Sequence, residues 1–133
     1  MKINFLSVEN VLQIQRQQLE EFGGIQGVRD LRLLESAVAQ PQAAFGDQYL
    51  HGDLFEMAAA YLFHIASNHP FLDGNKRAGF VSAVVFLDIN GIELDDDSDD
   101  YYDLVIRVAQ GQIGKPEIAE FFRKHGAVRE PSR

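Results

Sequence analysis

Apolar residues recur along this chain at intervals of three and four rather than two, the spacing that gathers side chains on one face of a helix. Behind Ser7, a plausible N-cap, Val8, Val11, Leu12, Leu19 and Phe22 fall mostly on one face, and Gly23-Gly24 ends the run. Asp30 caps a second, shorter helix through Leu31, Leu34 and Val38, closed by Pro41. Gln42 to Gly52 has no helical period and reads as a loop or short β-flap. Asp53, with Glu56 three residues on, opens a third helix in the manner of a capping box and carries it through Ala58, Ala59, Leu62, Phe63 and Ile65 to about Asn68. In the fourth, Lys76 to Asn90, the apolar residues Phe80, Val81, Val84, Val85, Phe86 and Leu87 cover nearly every side, which predicts a central, buried helix.

Gly91 is expected to end that helix in the left-handed region, and Ile92 to Leu94 to leave it as a short extended segment. A fifth helix follows near Tyr101 to Gln110. A sixth starts with Pro116 in its first turn and runs to about Lys124, turning Ile118, Phe121 and Phe122 inward. The pattern predicts an all-α protein: a compact bundle of about six helices, with a short loop or β-flap before the third. One domain over residues 1–126 and a flexible tail over 127–133 complete the expectation.

Composition narrows the partners. A chain of 133 residues with 46% hydrophobic residues can bury one core, roughly two thirds of its unfolded surface. Twelve basic against twenty acidic residues leave a net charge of −8, which repels polyphosphate backbones and argues against direct nucleic-acid binding, although a local basic cluster can still hold one nucleotide. The absence of cysteine excludes disulfides and thiolate metal sites. Met1 to Phe5 shows no apolar leader, and the longest apolar stretch, Val81 to Leu87, is too short to span a bilayer. A cytoplasmic protein without membrane contact is expected.

The chemistry is concentrated in His69-Pro70-Phe71-Leu72-Asp73-Gly74-Asn75-Lys76-Arg77, immediately ahead of the fourth helix. A loop entering a helix N-terminus offers unpaired amides and the positive end of the dipole, an anion site. Gly74 lets a phosphate approach the main chain, Asn75 adds an amide donor, and Arg77 can grip a second phosphate with its planar fork. Asp73 is placed to hold the Mg²⁺ that accompanies a nucleotide, an ion that shares oxygen ligands with phosphates. His69, the one residue of the loop that takes a proton near neutral pH, is the candidate general base toward an incoming hydroxyl. Phe71 is expected to anchor the loop in the core. Singly, each residue has a plainer reading: His69 as a surface residue, Asp73 as an N-cap, Asn75 and Arg77 as ordinary first-turn residues. Their joint spacing favours a nucleotide-phosphate site.

These residues resemble the signature of the Fic/Doc superfamily, His-Pro-Phe-x-(Asp or Glu)-Gly-Asn between two helices of a helical domain. Gly23 to Asp30, Leu33-Leu34-Glu35-Ser36-Ala37, Pro41-Gln42 and the Asp88 to Gly91 exit extend the likeness to the death-on-curing (Doc) branch. In broader Fic proteins the loop continues Gly-Asn-Gly-Arg-x-x-Arg and serves AMP transfer from ATP. Here Lys76 replaces the second glycine and Phe80 the last arginine, departures shared with Doc-type toxins, whose nucleotide lies reversed to present its γ-phosphoryl group. The resemblance therefore implies ATP and Mg²⁺, phosphoryl transfer to a threonine hydroxyl and elongation factor Tu as the kind of target. It makes His69 the base, Asp73 the metal carboxylate, and Gly74, Asn75, Lys76 and Arg77 the phosphate cradle.

Adenylyl transfer and a non-catalytic binding domain are the alternatives. Ser67 stands where Doc-like relatives often carry an arginine. The resemblance also makes Gln42 to Gly52 a target-positioning flap. No internal Ser/Thr-x-x-x-Glu-(Gly or Asn) inhibitory pattern occurs, which implies restraint by a separate antitoxin whose disordered tail folds into a groove.

The run Asp95-Asp96-Asp97-Ser98-Asp99-Asp100 fails as an EF-hand, with Asp100 where glycine is required and Ile106 at the twelfth place, and reads instead as the acidic start of the fifth helix. His51, His64 and His125 lack metal-ligand spacing and read as surface or core histidines. Tyr101 and Tyr102 read as packing residues, with self-modification the alternative for a tyrosine that is exposed.

Overall fold

The computed structural model describes residues 2–95 and 98–129. Six helices follow in order: α1 (Val8–Phe22), α2 (Leu31–Ala39), α3 (Leu54–Asn68), α4 (Asn75–Ile89), α5 (Ser98–Ala109) and α6 (Lys115–His125). A 3₁₀ turn at Gln40–Gln42 holds Pro41 at its start. The all-α expectation holds, and two small antiparallel ladders accompany the helices. The first is a hairpin of β1 (Ala44–Phe45) and β2 (Gln48–Tyr49) in the segment expected to be a flap; the second pairs β3 (Ile92–Leu94) with β4 (Gly126–Val128).

Three helices start at the side chains the sequence singles out. Ser7 Oγ accepts from Asn10 N at 3.1 Å while Asn10 Oδ1 accepts from Ser7 N at 2.8 Å, a reciprocal box. Asp30 Oδ1 caps Leu33 N and Asp53 Oδ1 caps Glu56 N. The box expected at Asp53 is half formed, because the Glu56 carboxylate turns to Arg123 at 3.5 Å.

The most deeply set helix is α3, not α4. Met57, Ala58, Ala59, Ala60, Tyr61, Leu62, Ile65 and Ala66 are all buried, with α2, α4 and α6 packed around them. Four alanines let neighbouring backbones come close. In α4 the buried face is narrower, Ala78, Gly79, Ser82, Ala83, Phe86 and Leu87, while Phe80, Val81, Val84 and Val85 are only partly covered. At Gly79 a Cβ would stand 3.1 Å from Leu62 O, so the missing side chain sets how closely α4 lies against α3.

The first residues of the expected tail are paired. Ala127 and Val128, read as flexible, pair with Glu93 and Ile92, and Arg129 N donates to Gly91 O at 2.7 Å. Backbone pairing of this kind needs no side-chain period, so the sequence carries no mark of it. Residues 130–133 of the expected tail, and Asp96 and Asp97 of the acidic run, lie outside the described residues. Asp99 and Asp100 stand in the first turn of α5, as the helix-start reading requires.

Candidate active site

Between the C-terminus of α3 and the N-terminus of α4 the chain makes a tight loop pinned from three sides. Phe71 is 1% exposed, and its burial contributes about 1.5–3 kcal/mol to holding the loop down. Its main chain forms an antiparallel bridge with Val28: Leu72 N donates to Gly27 O at 3.0 Å and Arg29 N to Pro70 O at 2.7 Å. In that geometry the N–H and C=O of Phe71 face away from the bridge. The Asn75 amide takes both, its Oδ1 accepting from Phe71 N at 2.9 Å and its Nδ2 donating to Phe71 O at 3.1 Å.

Two further side chains support the loop from a distance. Buried Gln15 on α1 donates through Nε2 to Asp73 O at 3.3 Å. Arg29 donates through Nε to His69 O at 2.6 Å and through Nη2 to Asn68 O at 2.9 Å. Neither was singled out in the sequence. Gln15 left a signal, a polar residue four places from both Val11 and Leu19 on the apolar stripe of α1; Arg29 left none.

His69, exposed, closes α3 with φ 49° and ψ 54°, the one non-glycine residue at positive φ among the described residues. Strain of this sort in a loop bearing a titratable side chain points to function. Asp73 is not the N-cap of α4. Gly74, at φ 74°, occupies that position with no side chain capping the helix, so the first-turn amides remain for a ligand.

The Asp73 carboxylate instead accepts from Ile25 N at 3.1 Å and Gly74 N at 2.8 Å. Those two amides, and after them the Arg77 charge, hold it below the usual carboxylate range. Each oxygen accepts one bond and keeps lone-pair capacity, which fits a hard cation shared with phosphates. Among the described residues no group of three or more histidines or carboxylates forms a complete metal cage, so a cation here would draw most of its ligands from phosphate and water.

His69, Leu72, Asp73, Gly74, Asn75, Lys76, Arg77 and Ala109 line one cleft of about 400 Å³. Every residue expected in the catalytic and phosphate-binding set is therefore gathered there. Asn75 differs in detail, since its amide is engaged with Phe71 and Nδ2 keeps one hydrogen for a ligand. The exposed Arg77 guanidinium lies 4.6 Å from the centre of the Phe22 ring. Phe80 is outside the cleft, half-buried with its ring 5.4 Å from that of Tyr101. It lines a neighbouring groove of about 470 Å³ with Phe22, Val81, Tyr102 and Ile106, which meets the cleft at Lys76 and Arg77.

One histidine, one carboxylate and an uncapped helix start are thus set together in a single loop between two packed helices. The chain belongs to the Fic/DOC family, whose model matches residues 5–87, from ahead of α1 almost to the end of α4. It is 46% identical over 100 residues to Toxin Doc of Mycolicibacterium smegmatis (strain ATCC 700084 / mc(2)155), covering 74% of this chain and 77% of that one. To Protein kinase doc of Escherichia phage P1 it is 32% identical over 119 residues, 90% of this chain and 93% of the relative. No helix among the described residues is long and apolar enough to cross a membrane.

Proposed function

We propose that this protein is a Doc-like toxin that transfers the γ-phosphoryl group of ATP to a hydroxyl, a threonine by preference, of a translation factor of the elongation factor Tu kind. The observation that carries the reading is the shared cleft: a histidine, an ionised carboxylate and an uncapped helix start with two cations face one volume sized for a polyphosphate.

In this reaction His69 takes the proton of the target hydroxyl as its oxygen bonds to the γ-phosphorus. The bond from phosphorus to the β–γ bridging oxygen breaks, and ADP leaves with that electron pair. Lys76, Arg77 and the open amides of α4 offset the charge spread over the phosphate oxygens, so positioning and electrostatics supply most of the acceleration. Asp73 would hold Mg²⁺, which when bound neutralises phosphate charge.

The departures at 76 and 80 support phosphoryl over adenylyl transfer. The first adds a cation to the cleft, and the second leaves a half-buried aromatic where a further phosphate clamp would stand.

The name of the M. smegmatis relative supports a toxin-antitoxin system, and thereby a cognate antitoxin as partner. The apolar groove that meets the cleft at Lys76 and Arg77 suits an amphipathic antitoxin segment, which would restrain the toxin beside its loop. The exposed β1–β2 hairpin, with Phe45 84% exposed, suits a flap that aligns the target backbone.

Label transfer from ATP marked on the α- or the γ-phosphate, with Mg²⁺ and elongation factor Tu or a cell extract, tests the reading against a His69→Ala control. Transfer of the γ-label alone, lost in the variant, is expected. Transfer of the α-label would mean adenylyl transfer, and transfer of neither would leave a binding domain.

A further inference from the structure

We infer that Arg29 is a positioning residue, whose guanidinium fork holds the His69 main chain in the left-handed conformation from which the imidazole serves the reaction. The inference rests on the reading of His69 as the general base.

A non-glycine residue at φ 49° costs about 1–2 kcal/mol relative to a right-handed one, so its neighbours must enforce it. Helices commonly end in a left-handed residue, and glycine normally occupies that place because it has no Cβ to clash. Here the position is a histidine, and a cation supplies what glycine's tolerance would. Arg29 spans two successive carbonyls at the end of α3, Nε on His69 O at 2.6 Å and Nη2 on Asn68 O at 2.9 Å. Both are carbonyls a helix terminus leaves unpaired, and both belong to the negative end of the helix dipole. The main chain of the same residue holds the next carbonyl, with Arg29 N on Pro70 O at 2.7 Å. Arg29 therefore grips the peptide planes on either side of the His69–Pro70 junction.

This grip is separable from the anchoring of the loop. Phe71 burial, the Leu72–Gly27 hydrogen bond and the Asn75 ring all act downstream of His69 and do not involve the guanidinium. The Arg29 side chain is exposed, so its loss leaves the core intact. What it removes is the constraint on two carbonyls, and with it the direction of the imidazole. A lysine is no substitute, because an ammonium on a flexible stem cannot span both carbonyls in one plane.

The test compares wild type, Arg29→Lys and Arg29→Ala, the last also with millimolar guanidinium, in the γ-label assay. His69 is followed in parallel by the NMR resonances of its imidazole, assigned with His69→Gln. Arg29→Ala is expected to lose about ten- to a hundredfold in kcat with KM for ATP unchanged. Guanidinium should restore part of that rate where sodium chloride of equal ionic strength does not, and Arg29→Lys should stay low. The His69 resonances should shift or broaden while those of His51, His64 and His125 stay in place. An unchanged kcat, or a loss of rate with His69 unmoved, overturns the inference. If the wild type transfers no label, the functional reading fails and the NMR arm decides alone: displaced His69 resonances support Arg29 as its positioner, and unmoved ones refute it.

Discussion

The side-chain amide of Asn75 closes a ring on the main chain of Phe71, accepting from its N–H at 2.9 Å and donating to its C=O at 3.1 Å. Asn75→Ala strands both backbone groups in a half-buried loop. An expected cost of about 1–3 kcal/mol follows, read as a lower urea midpoint, together with loss of transfer. Asn75→Asp keeps the acceptor and loses the donor while adding negative charge beside the phosphates. It should fall further in activity than in stability. Equal losses in the two properties would show that the asparagine supports the loop without facing the phosphates.

The backbone of His69 separates strain from chemistry. Glycine relieves the left-handed residue where alanine does not, so His69→Gly should be more stable than His69→Ala by about 1 kcal/mol in urea unfolding, with both variants inactive. The reverse order would show that the loop stores no strain at this position.

Gly24, at φ 130°, lies against the Asp73 carboxylate. A Cβ there would come within 2.6 Å of Leu19 Cδ2 and 2.9 Å of Asp73 Oδ2, whereas at Gly23 a Cβ meets nothing within 4 Å. Both alanine variants are strained at positive φ and should lose about 1–2 kcal/mol. Only Gly24→Ala should displace Asp73 and raise the Mg²⁺ concentration needed for half-maximal transfer. Matching Mg²⁺ curves for the two variants would separate Asp73 from the cation.

How much of this was legible in the sequence depends on range. Ser7, Asp30 and Asp53 cap their helices through bonds spanning three residues, and the site residues from His69 to Arg77 are contiguous, so local pattern carried both. The supports of that loop come from far away: Gln15 is 58 residues from Asp73, and Arg29 is 40 from His69. Arginine on a carbonyl leaves no periodic trace, and neither does the backbone pairing of β3 with β4. The depth of α3 was hidden differently, because its alanines count as weakly apolar although they admit the closest neighbours. The dense large apolar residues of α4 imply greater burial than it has, because two of them, Phe80 and Val81, line an open groove instead.

Acid should act through a histidine–lysine cluster outside the cleft. Lys115 Nζ, at the start of α6, lies 3.2 Å from His64 Nε2 and 3.4 Å from His51 Nε2, joining α6 both to α3 and to the segment leading into it. Burial first, then the Lys115 charge and His51, push the His64 imidazole down to about 4. His51 is lowered by burial and Lys115, with Glu56 opposing. The folded-state values lie below the ordinary 6.5, so the unfolded chain binds more protons between those limits and stability rises with pH there. The stabilisation is present in full above about pH 6.5 and is lost as pH falls toward about 4. For half-buried His64 the loss is at most about 2 kcal/mol once solvent screening is allowed for. Lys115→Met removes the nearby positive charge, so the slope of unfolding free energy against pH should flatten in this window and persist below it, where carboxylates such as Asp73 titrate. An unaltered slope would leave burial as the sole cause.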